Sequence, residues 1–238
     1  MICTGAIMGP LFQLLGGARE MEFVNIRKDI ILFGRKLVER KLTVGTGGNL
    51  SFFVRDRDIV LVTPSGIDYF DMEPRDIVMT SPEGNMINSS RKPTTELDLH
   101  LALYRLRPDI QAVIHSHSVF ATTVACLGWE IPAFSYLVAL IGDRVPLAPY
   151  CTFGSRALAE KVSSSLGSYN GILMENHGQI AVGKDLSHAF NVAETIEFLS
   201  ELYWRSRCVG MPALLEDDEI RRVMDKFRNY GQYGNPQE

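Results

Sequence analysis

Apolar residues recur with a helical period near both ends of the chain. The first such pattern covers residues 24–42, and its stripe consists of Ile26, Ile30, Phe33 and Leu37. A second, longer pattern follows Asp185, a suitable N-cap residue, and its stripe consists of Leu186, Phe190, Ala193, Ile196, Leu199 and Tyr203. Each pattern predicts a helix with one buried face, and a last helix is predicted over about residues 216–229.

Between these helices, short apolar runs bounded by polar turns predict β-strands. The predicted strands cover residues 50–54, 59–63, 77–80, 85–87, 137–140, 171–175 and 179–182, with one more around His115. Thr95 and Asp98 resemble a capping box, which predicts a helix that begins near Thr94 or Thr95 and ends before Pro108. A further helix is predicted over residues 119–127, and another follows residues 152–155 and ends at about residue 165.

The order of these elements predicts one α/β domain. Helices and strands alternate without a strict βαβ rhythm, and at least two hairpins are expected. This favours a three-layer α/β/α sandwich with a mixed, largely antiparallel central sheet over a doubly wound parallel sheet. Residues 1–20 differ in composition, so we expect a weakly ordered extension there and a single domain over residues 21–238, with Met21 as a candidate natural start.

Composition narrows the possible functions. The 238 residues include 46% hydrophobic and 22% charged residues, with a net charge of −4, and no basic stripe suggests a nucleic-acid partner. No segment is long and apolar enough to cross a membrane. The cysteines, at positions 3, 126, 151 and 208, lie far apart, as expected of reduced thiols in a cytoplasmic protein.

His115 and His117 end an apolar run and are two residues apart. In a strand such side chains point to the same face, where two imidazoles can share one cation. His177 lies in a turn between two predicted strands, so a three-histidine site is possible, with the fourth position open to a carboxylate, water or substrate. Glu96 and Glu175 are both candidates for it.

The two remaining histidines are weaker candidates for metal ligands. His100 lies one turn after Glu96 and could be a ligand by spacing, although a partly buried helix histidine is the more ordinary interpretation. His188, near a predicted helix start, is expected to be a surface residue.

Three short turns are rich in glycine and hydroxyl side chains, at residues 46–49, Ser65-Gly66 and Thr94-Thr95. Each could offer backbone N–H groups and hydroxyls to a phosphate, and the third stands at a predicted helix N-terminus. None of them is a Walker loop or a dinucleotide fingerprint. Ordinary turns and caps remain the alternative interpretation.

Five motifs in order give the chain a family resemblance. They are Gly45-Thr46-Gly47-Gly48-Asn49-Leu50-Ser51, Thr63-Pro64-Ser65-Gly66-Ile67, Lys92-Pro93-Thr94-Thr95-Glu96, His115-Ser116-His117 and Asn176-His177-Gly178. Over about residues 21–230 the chain resembles the class II aldolase family that includes L-fuculose-phosphate aldolase and L-ribulose-5-phosphate 4-epimerase.

The resemblance implies a role for each matching residue. His115, His117 and His177 resemble the family's zinc ligands, with Mn²⁺ or Co²⁺ as other possible metals. Glu96 resembles the carboxylate that binds the metal at rest and then serves as acid and base. The phosphate-binding turns are matched by Gly48, Asn49, Ser65, Gly66, Thr94 and Thr95.

Two tyrosines are implied by the same resemblance. Tyr136 resembles a proton donor lent by a neighbouring subunit, and Tyr230 resembles the tail tyrosine that closes over the site. The family is usually a homotetramer with sites at subunit interfaces, so the same is expected here.

The chain also departs from the family pattern. Thr94-Thr95 stands where Ser-Ser is common, and Gly47 stands where Ser is common, so the details of the phosphate site are open. At Glu96 the family's aldolases carry Glu and its epimerases carry the shorter Asp. This residue favours an aldolase that cleaves a ketose 1-phosphate, such as L-fuculose 1-phosphate, to dihydroxyacetone phosphate and an aldehyde.

Other functions remain open on the sequence. An aldolase with the same metal site could act on 5-deoxyribulose 1-phosphate or methylthioribulose 1-phosphate instead. An enzyme with this site could also dehydrate methylthioribulose 1-phosphate or catalyse 4-epimerisation. A Schiff-base aldolase would need a lysine in an apolar pocket, and the lysines here lie in polar or turn contexts. A binding module resembling the adducin head should lack the metal histidines, which are all present.

Overall fold

The computed structural model describes residues 23–87 and 89–228. This part of the chain contains six α-helices: α1 (Val24–Glu39), α2 (Leu97–Leu106), α3 (Val119–Cys126), α4 (Arg156–Leu166), α5 (Leu186–Val209) and α6 (Asp217–Arg228). Three 3₁₀ helices cover Arg55–Arg57, Pro74–Asp76 and Tyr136–Leu140. The expected extension over residues 1–20 lies outside the described residues.

Seven strands form one mixed sheet: β1 (Asn49–Val54), β2 (Ile59–Val62), β3 (Val78–Thr80), β4 (Ala112–Ser116), β5 (Leu147–Ala148), β6 (Gly171–Met174) and β7 (Gly178–Gly183). Their order across the sheet is β3-β2-β1-β4-β7-β6-β5. Every neighbouring pair is antiparallel except β5 with β6. The mixed, largely antiparallel sheet predicted from the sequence is confirmed.

Two hydrophobic clusters cover the two faces of this sheet. Alternate residues of one strand serve opposite faces, as Ile114 and Val113 of β4 do. The cluster on one face includes residues of α1, α3, α5 and α6, and the cluster on the other face includes residues of α2 and α4. Helices on both faces give the expected three-layer α/β/α arrangement, and β4 lies at its centre.

Most predicted elements lie within two residues of their expected positions. The stripe predicted for α5 is buried, and Asp185 caps that helix by accepting a hydrogen bond from the His188 backbone N at 2.7 Å. The hairpin around residues 82–84 forms through a single bridge between Thr80 and Met86.

Two predictions of local structure were wrong. Residues 137–140 lie in a 3₁₀ helix rather than a strand. The helix expected from Thr94 or Thr95 begins at Leu97, with Glu96 as its N-cap, and the predicted Thr95–Asp98 capping box does not form. Instead, Thr94 Oγ1 accepts from the Glu96 backbone N at 3.3 Å, which holds residues 94–96 in a turn ahead of the helix.

Two further sequence-based expectations concern membrane spans and disulfides. Across residues 23–87 and 89–228, we find no helix with the length and apolar content needed to span a bilayer. Cys126, Cys151 and Cys208 are free, and Cys3 lies outside the described residues.

Candidate active site

The central strand β4 carries the first two histidines to one edge of the sheet. His115 is fully buried in β4, where it pairs with Asn49 of β1 and Ile180 of β7. His117 follows directly after the strand, and the centroids of the two rings are 4.5 Å apart. The two-residue spacing therefore places both imidazoles on one side, as the sequence predicts.

His177 reaches the same place from the turn between β6 and β7. Asn176 has a positive φ of 53°, and a Cβ on Gly178 would lie 2.4 Å from the backbone oxygen of Ser116, so only glycine fits there. The turn thus presses against the end of β4. The metal-binding atoms of His115, His117 and His177 all lie within 4.8 Å of one another.

Glu96 completes the cluster from the N-terminus of α2. Its Oε2 lies 3.2 Å from His115 Nε2, and its Oε1 lies 3.5 Å from His177 Nε2. The residue is 5% exposed, and Asn49 Nδ2 donates a hydrogen bond to Oε2 at 2.9 Å. Because Glu96 is the N-cap, its side chain can project beyond the helix end toward the histidines.

The groups of this cluster face one another as acceptors. His115 Nδ1 donates a hydrogen bond to the backbone oxygen of Gln179 at 2.9 Å. The ring proton therefore lies on Nδ1, and Nε2 presents a lone pair toward Glu96. His115 Nε2, His117 Nε2 and Glu96 Oε1 are buried without a hydrogen-bond partner in the described structure. Hydrogen-bond acceptors that converge in this way can share a cation, and imidazole nitrogen and carboxylate oxygen are ligands that suit Zn²⁺.

The protonation states also suit a cation. Burial lowers the pKa of His115 to about 3, against the opposing charge of Glu96, and burial likewise lowers the pKa of His117 and of His177. All three rings are therefore neutral near pH 7, the state that binds a metal. Burial works to raise the pKa of Glu96, whereas the charge that a protonated His115 would carry and the hydrogen bond from Asn49 work to lower it, and the net shift is downward. With His115 neutral, the Asn49 bond is the contact that continues to favour the carboxylate.

The other candidate ligands lie elsewhere. Glu175 turns away from the cluster, and its Oε2 accepts from the Tyr150 backbone N at 2.9 Å. His100 is fully buried, not partly buried as expected, and its ring bonds to Asn49 and Ser51. These contacts could not be predicted from the sequence, because the two partners lie about fifty residues before His100.

A cavity of about 510 Å³ opens beside the cluster. Glu96, His117 and His177 line it, together with all six residues of the predicted phosphate turns: Gly48, Asn49, Ser65, Gly66, Thr94 and Thr95. The structure therefore brings the three separate turns to one place. The side chain of Asn49 bonds to Glu96 through one N–H of its amide and to His100 through its carbonyl oxygen, so the second N–H of the amide is not used by either contact.

Hydrogen bonds outside the regular sheet explain why two of these turns meet. Ser65 N donates to Lys92 O, and Thr94 N donates to Thr63 O, each at 3.1 Å. Gly48 has a φ of 73°, and a Cβ there would lie 2.6 Å from His115 O, so the first turn needs glycine to approach β4. Tyr150 and Phe153, both exposed, line the cavity as well and were missed by sequence reasoning.

The two tyrosines of interest are not part of this cavity's described lining. Tyr136 is 57% exposed and stacks on Phe227 of α6, with ring centroids 6.1 Å apart. Tyr230 lies outside the described residues.

Comparison with known proteins agrees with this geometry. Residues 28–204 match the family model described as Class II Aldolase and Adducin N-terminal domain. A 5-deoxy-D-ribulose 1-phosphate aldolase of Bacillus thuringiensis serovar kurstaki is 44% identical over 206 residues, which is 87% of this chain and 97% of that protein. An L-fuculose phosphate aldolase of Escherichia coli K12 is 37% identical, over 89% of this chain and 98% of that protein.

A solved structure shares the architecture. The structure titled L-fuculose 1-phosphate aldolase superposes with a TM-score of 0.86 at 38% identity, and the match covers 88% of this chain and 99% of that one.

Proposed function

The chain belongs to the class II aldolase family, and we propose that it is a zinc-dependent aldolase that reversibly cleaves a ketose 1-phosphate. Its aldolase relatives make it a lyase. The products of the proposed reaction are dihydroxyacetone phosphate and an aldehyde. The observation that carries the proposal is the buried Glu96 carboxylate, which faces Nε2 of His115 at 3.2 Å and Nε2 of His177 at 3.5 Å.

The metal site is proposed to consist of His115, His117 and His177, with Glu96 as the ligand at rest. Their convergent acceptor atoms and neutral rings support this assignment. When bound, a divalent cation supplies Lewis-acid stabilisation for negative charge that develops next to the C2 carbonyl. Zn²⁺ is the proposed ion, and Mn²⁺ or Co²⁺ could replace it.

The protein's own groups would move the two protons of the reaction. Cleavage of the C3–C4 bond removes the proton of the C4 hydroxyl, which we assign to Tyr136 of a neighbouring subunit. Carbon C3 then gains a proton from the Glu96 carboxyl group, and proton exchange with solvent returns Glu96 and Tyr136 to their starting states. In the direction of synthesis both transfers are reversed. The half-exposed position of Tyr136 supports its service to another subunit's site.

The phosphate of the substrate is proposed to bind at the three turns that line the cavity. Backbone N–H groups at Gly48 and Gly66 and the hydroxyls of Ser65, Thr94 and Thr95 are the available donors. The side chain of Asn49 donates one N–H to Glu96, so we assign it a role in orienting the acid–base group, and its second N–H is proposed as a donor to the phosphate.

The substrate is proposed to end in a methyl group. Exposed Tyr150 and Phe153 at the cavity suit an apolar end of the aldehyde. The 44% identity to a 5-deoxy-D-ribulose 1-phosphate aldolase makes 5-deoxyribulose 1-phosphate the first substrate to test, followed by L-fuculose 1-phosphate and methylthioribulose 1-phosphate. Epimerisation is the alternative at the same site, and Glu96 argues against it.

A coupled assay for dihydroxyacetone phosphate tests this function. The chain should release dihydroxyacetone phosphate from one of the three ketose phosphates. Activity should disappear after treatment with a chelator and return with Zn²⁺. Release that survives the chelator would instead support a Schiff-base enzyme, and release from none of the substrates would contradict the proposal.

The remaining expectations concern assembly and location. We propose a homotetramer in which Tyr136 serves the site of a neighbouring subunit and Tyr230 closes over the site, and the exposure of Tyr136 supports the first of these roles. We propose a cytoplasmic location, supported by the free thiols of Cys126, Cys151 and Cys208. Residues 21–238 are proposed to form the single domain.

A further inference from the structure

We propose that His100 is a positioning residue for the Glu96 carboxylate and acts through the side chain of Asn49. The inference rests on the proposed aldolase function, because that function gives Glu96 its work. The ring of His100 is fully buried, and its Nε2 lies 2.5 Å from Asn49 Oδ1. Asn49 Nδ2 in turn donates to Glu96 Oε2 at 2.9 Å. Two consecutive hydrogen bonds therefore connect the imidazole to the carboxylate.

Ser51 and Tyr104 extend this chain on the other side of the ring. Ser51 Oγ lies 2.6 Å from His100 Nδ1, and the Tyr104 hydroxyl lies 2.7 Å from Ser51 Oγ. Asn49 and Ser51 are two residues apart in β1 and so point to the same face, while His100 and Tyr104 are one turn apart on α2. A strand and a helix thus meet through alternating polar groups inside an otherwise apolar layer.

The direction of every hydrogen bond in this chain follows from the charge of Glu96. A carboxylate only accepts, so Asn49 turns its NH₂ group toward Glu96 and its carbonyl oxygen toward His100. That oxygen also only accepts, so the ring proton of His100 lies on Nε2. Nδ1 then accepts from the Ser51 hydroxyl, so Ser51 Oγ accepts from Tyr104 at 2.7 Å, the nearer of two acceptors beside that hydroxyl, since Gln111 O lies 3.3 Å from it. All the donors therefore point toward Glu96.

A neutral ring fits these two partners. Burial lowers the pKa of His100 to about 4, although the charge of Glu96 works in the opposite direction. The neutral imidazole has one donor and one acceptor, and the chain uses both. Satisfied buried networks of this kind hold their members in one arrangement.

Loss of the Nε2–H donor would release the Asn49 amide. A rotated amide would turn Oδ1 toward Glu96, and two acceptors at that separation repel each other. The carboxylate would then leave the position from which it faces His115 and His177. Buried partners that orient a metal ligand affect metal affinity or activity by roughly 10–100-fold.

Two substitutions at His100 separate positioning from packing. His100→Leu fills the space without a donor, and we expect kcat to fall by roughly 10–100-fold with little change in the substrate KM. His100→Gln can place an N–H near the Nε2 position, so its kcat should stay within a few-fold of wild type. A wild-type kcat for His100→Leu, or an equal loss in both variants, would overturn the inference.

Leu103→Ala supplies the matched control for stability. Leu103 is fully buried on the same helix and belongs to the hydrophobic cluster rather than to the polar chain. This variant should lower the melting temperature at least as much as His100→Leu while keeping kcat. An equal kcat loss in Leu103→Ala would show that destabilisation alone explains the effect.

Side-chain ¹⁵N NMR on the metal-loaded full chain gives a readout that does not depend on catalysis. The His100 ring should be neutral with its proton on Nε2, and Tyr104→Phe should weaken this preference. A proton on Nδ1 would overturn the donor order and with it the inference.

Zinc affinity, measured by competition with a chromogenic chelator, should fall in His100→Leu but not in Leu103→Ala. If this holds while the wild type cleaves none of the ketose phosphates, the proposed function fails and the positioning role stands. If the wild type is active and affinity and kcat are unchanged in His100→Leu, the positioning role fails alone.

Discussion

At the scale of single residues, the decisive group is the Glu96 carboxylate. We expect Glu96→Gln to lower kcat by about 10²–10⁴-fold, the range that a positioned acid or base contributes, since the amide keeps the shape but cannot accept and return the proton. Steady-state release of dihydroxyacetone phosphate measures the effect. Glu175→Gln is the matched control, because that side chain accepts from the Tyr150 backbone N outside the cluster and should keep near-wild-type activity. Full activity of Glu96→Gln would contradict the assignment.

The burial of His100 also predicts how the free energy of unfolding depends on pH. Its pKa falls from 6.5 in the unfolded chain to about 4 in the folded one because it is buried, so the unfolded state binds a proton that the native state excludes. Stability is therefore lost as pH drops from 6.5 toward 4, by about 1.4 kcal/mol per pH unit for this proton. His100→Gln should flatten that slope, as urea unfolding at several pH values would reveal. An unchanged slope would mean that His100 does not titrate in this way.

The residues that could be predicted were those whose spacing carries the geometry. His115 and His117 share a face because they are two residues apart in a strand, and His177 was marked by its place in a turn between two strands. The series of hydrogen bonds that connects Tyr104 to Glu96 was not predictable, because Asn49 and Ser51 contact His100 from about fifty residues earlier in the sequence. Contacts of that kind depend on how β1 and α2 pack.

At the scale of elements, the errors also have physical causes. Residues 137–140 are a short apolar run, and such a run fits a strand or a helical turn equally well. Ser135 Oγ accepts from the Leu137 backbone N at 3.4 Å, which favours the 3₁₀ turn. The start of α2 was misplaced because Thr94 Oγ1 accepts from the Glu96 backbone N within a turn that precedes the helix and lines the cavity.

The element that supports His117 is α3, which begins two residues later. Glu197 of α5 accepts from the backbone N–H groups of Phe120 and Ala121 at 3.0 Å and 2.8 Å, and so satisfies two of the free donors at the start of α3. We expect Glu197→Ala to cost about 1–2 kcal/mol of unfolding free energy and to weaken zinc binding, because the loop of His117 loses its support.

Asp185→Ala is the control for Glu197→Ala. Asp185 caps α5 through the His188 backbone N, so its loss should cost about 1 kcal/mol without changing zinc affinity. Urea unfolding and a zinc competition titration measure the two quantities. Equal zinc affinities for both variants would show that α3 does not position His117.

At the scale of the whole molecule, the proposed site needs two subunits. His115 is buried at the centre of the sheet, whereas Tyr136 is 57% exposed and is not among the described residues that line the cavity. If one subunit supplies the histidines and its neighbour supplies Tyr136, then His115→Ala and Tyr136→Phe disable different halves of each site. Each variant alone should be inactive or nearly so in the dihydroxyacetone phosphate assay.

Mixed oligomers test this sharing directly. In a co-expressed mixture, a site can combine His115 from the Tyr136→Phe chain with Tyr136 from the His115→Ala chain. With equal amounts and random assembly, about a quarter of the sites would be intact, so activity should return to about that fraction of wild type. A mixture of His115→Ala with Glu96→Gln is the control, because both changes lie in the half of the site that carries the histidines. Every such half in this mixture is damaged, so no site is intact even though every chain carries Tyr136. No recovery in the test mixture would show that Tyr136 acts within its own subunit or not at all, and recovery in the control would show that activity returns without any sharing of Tyr136.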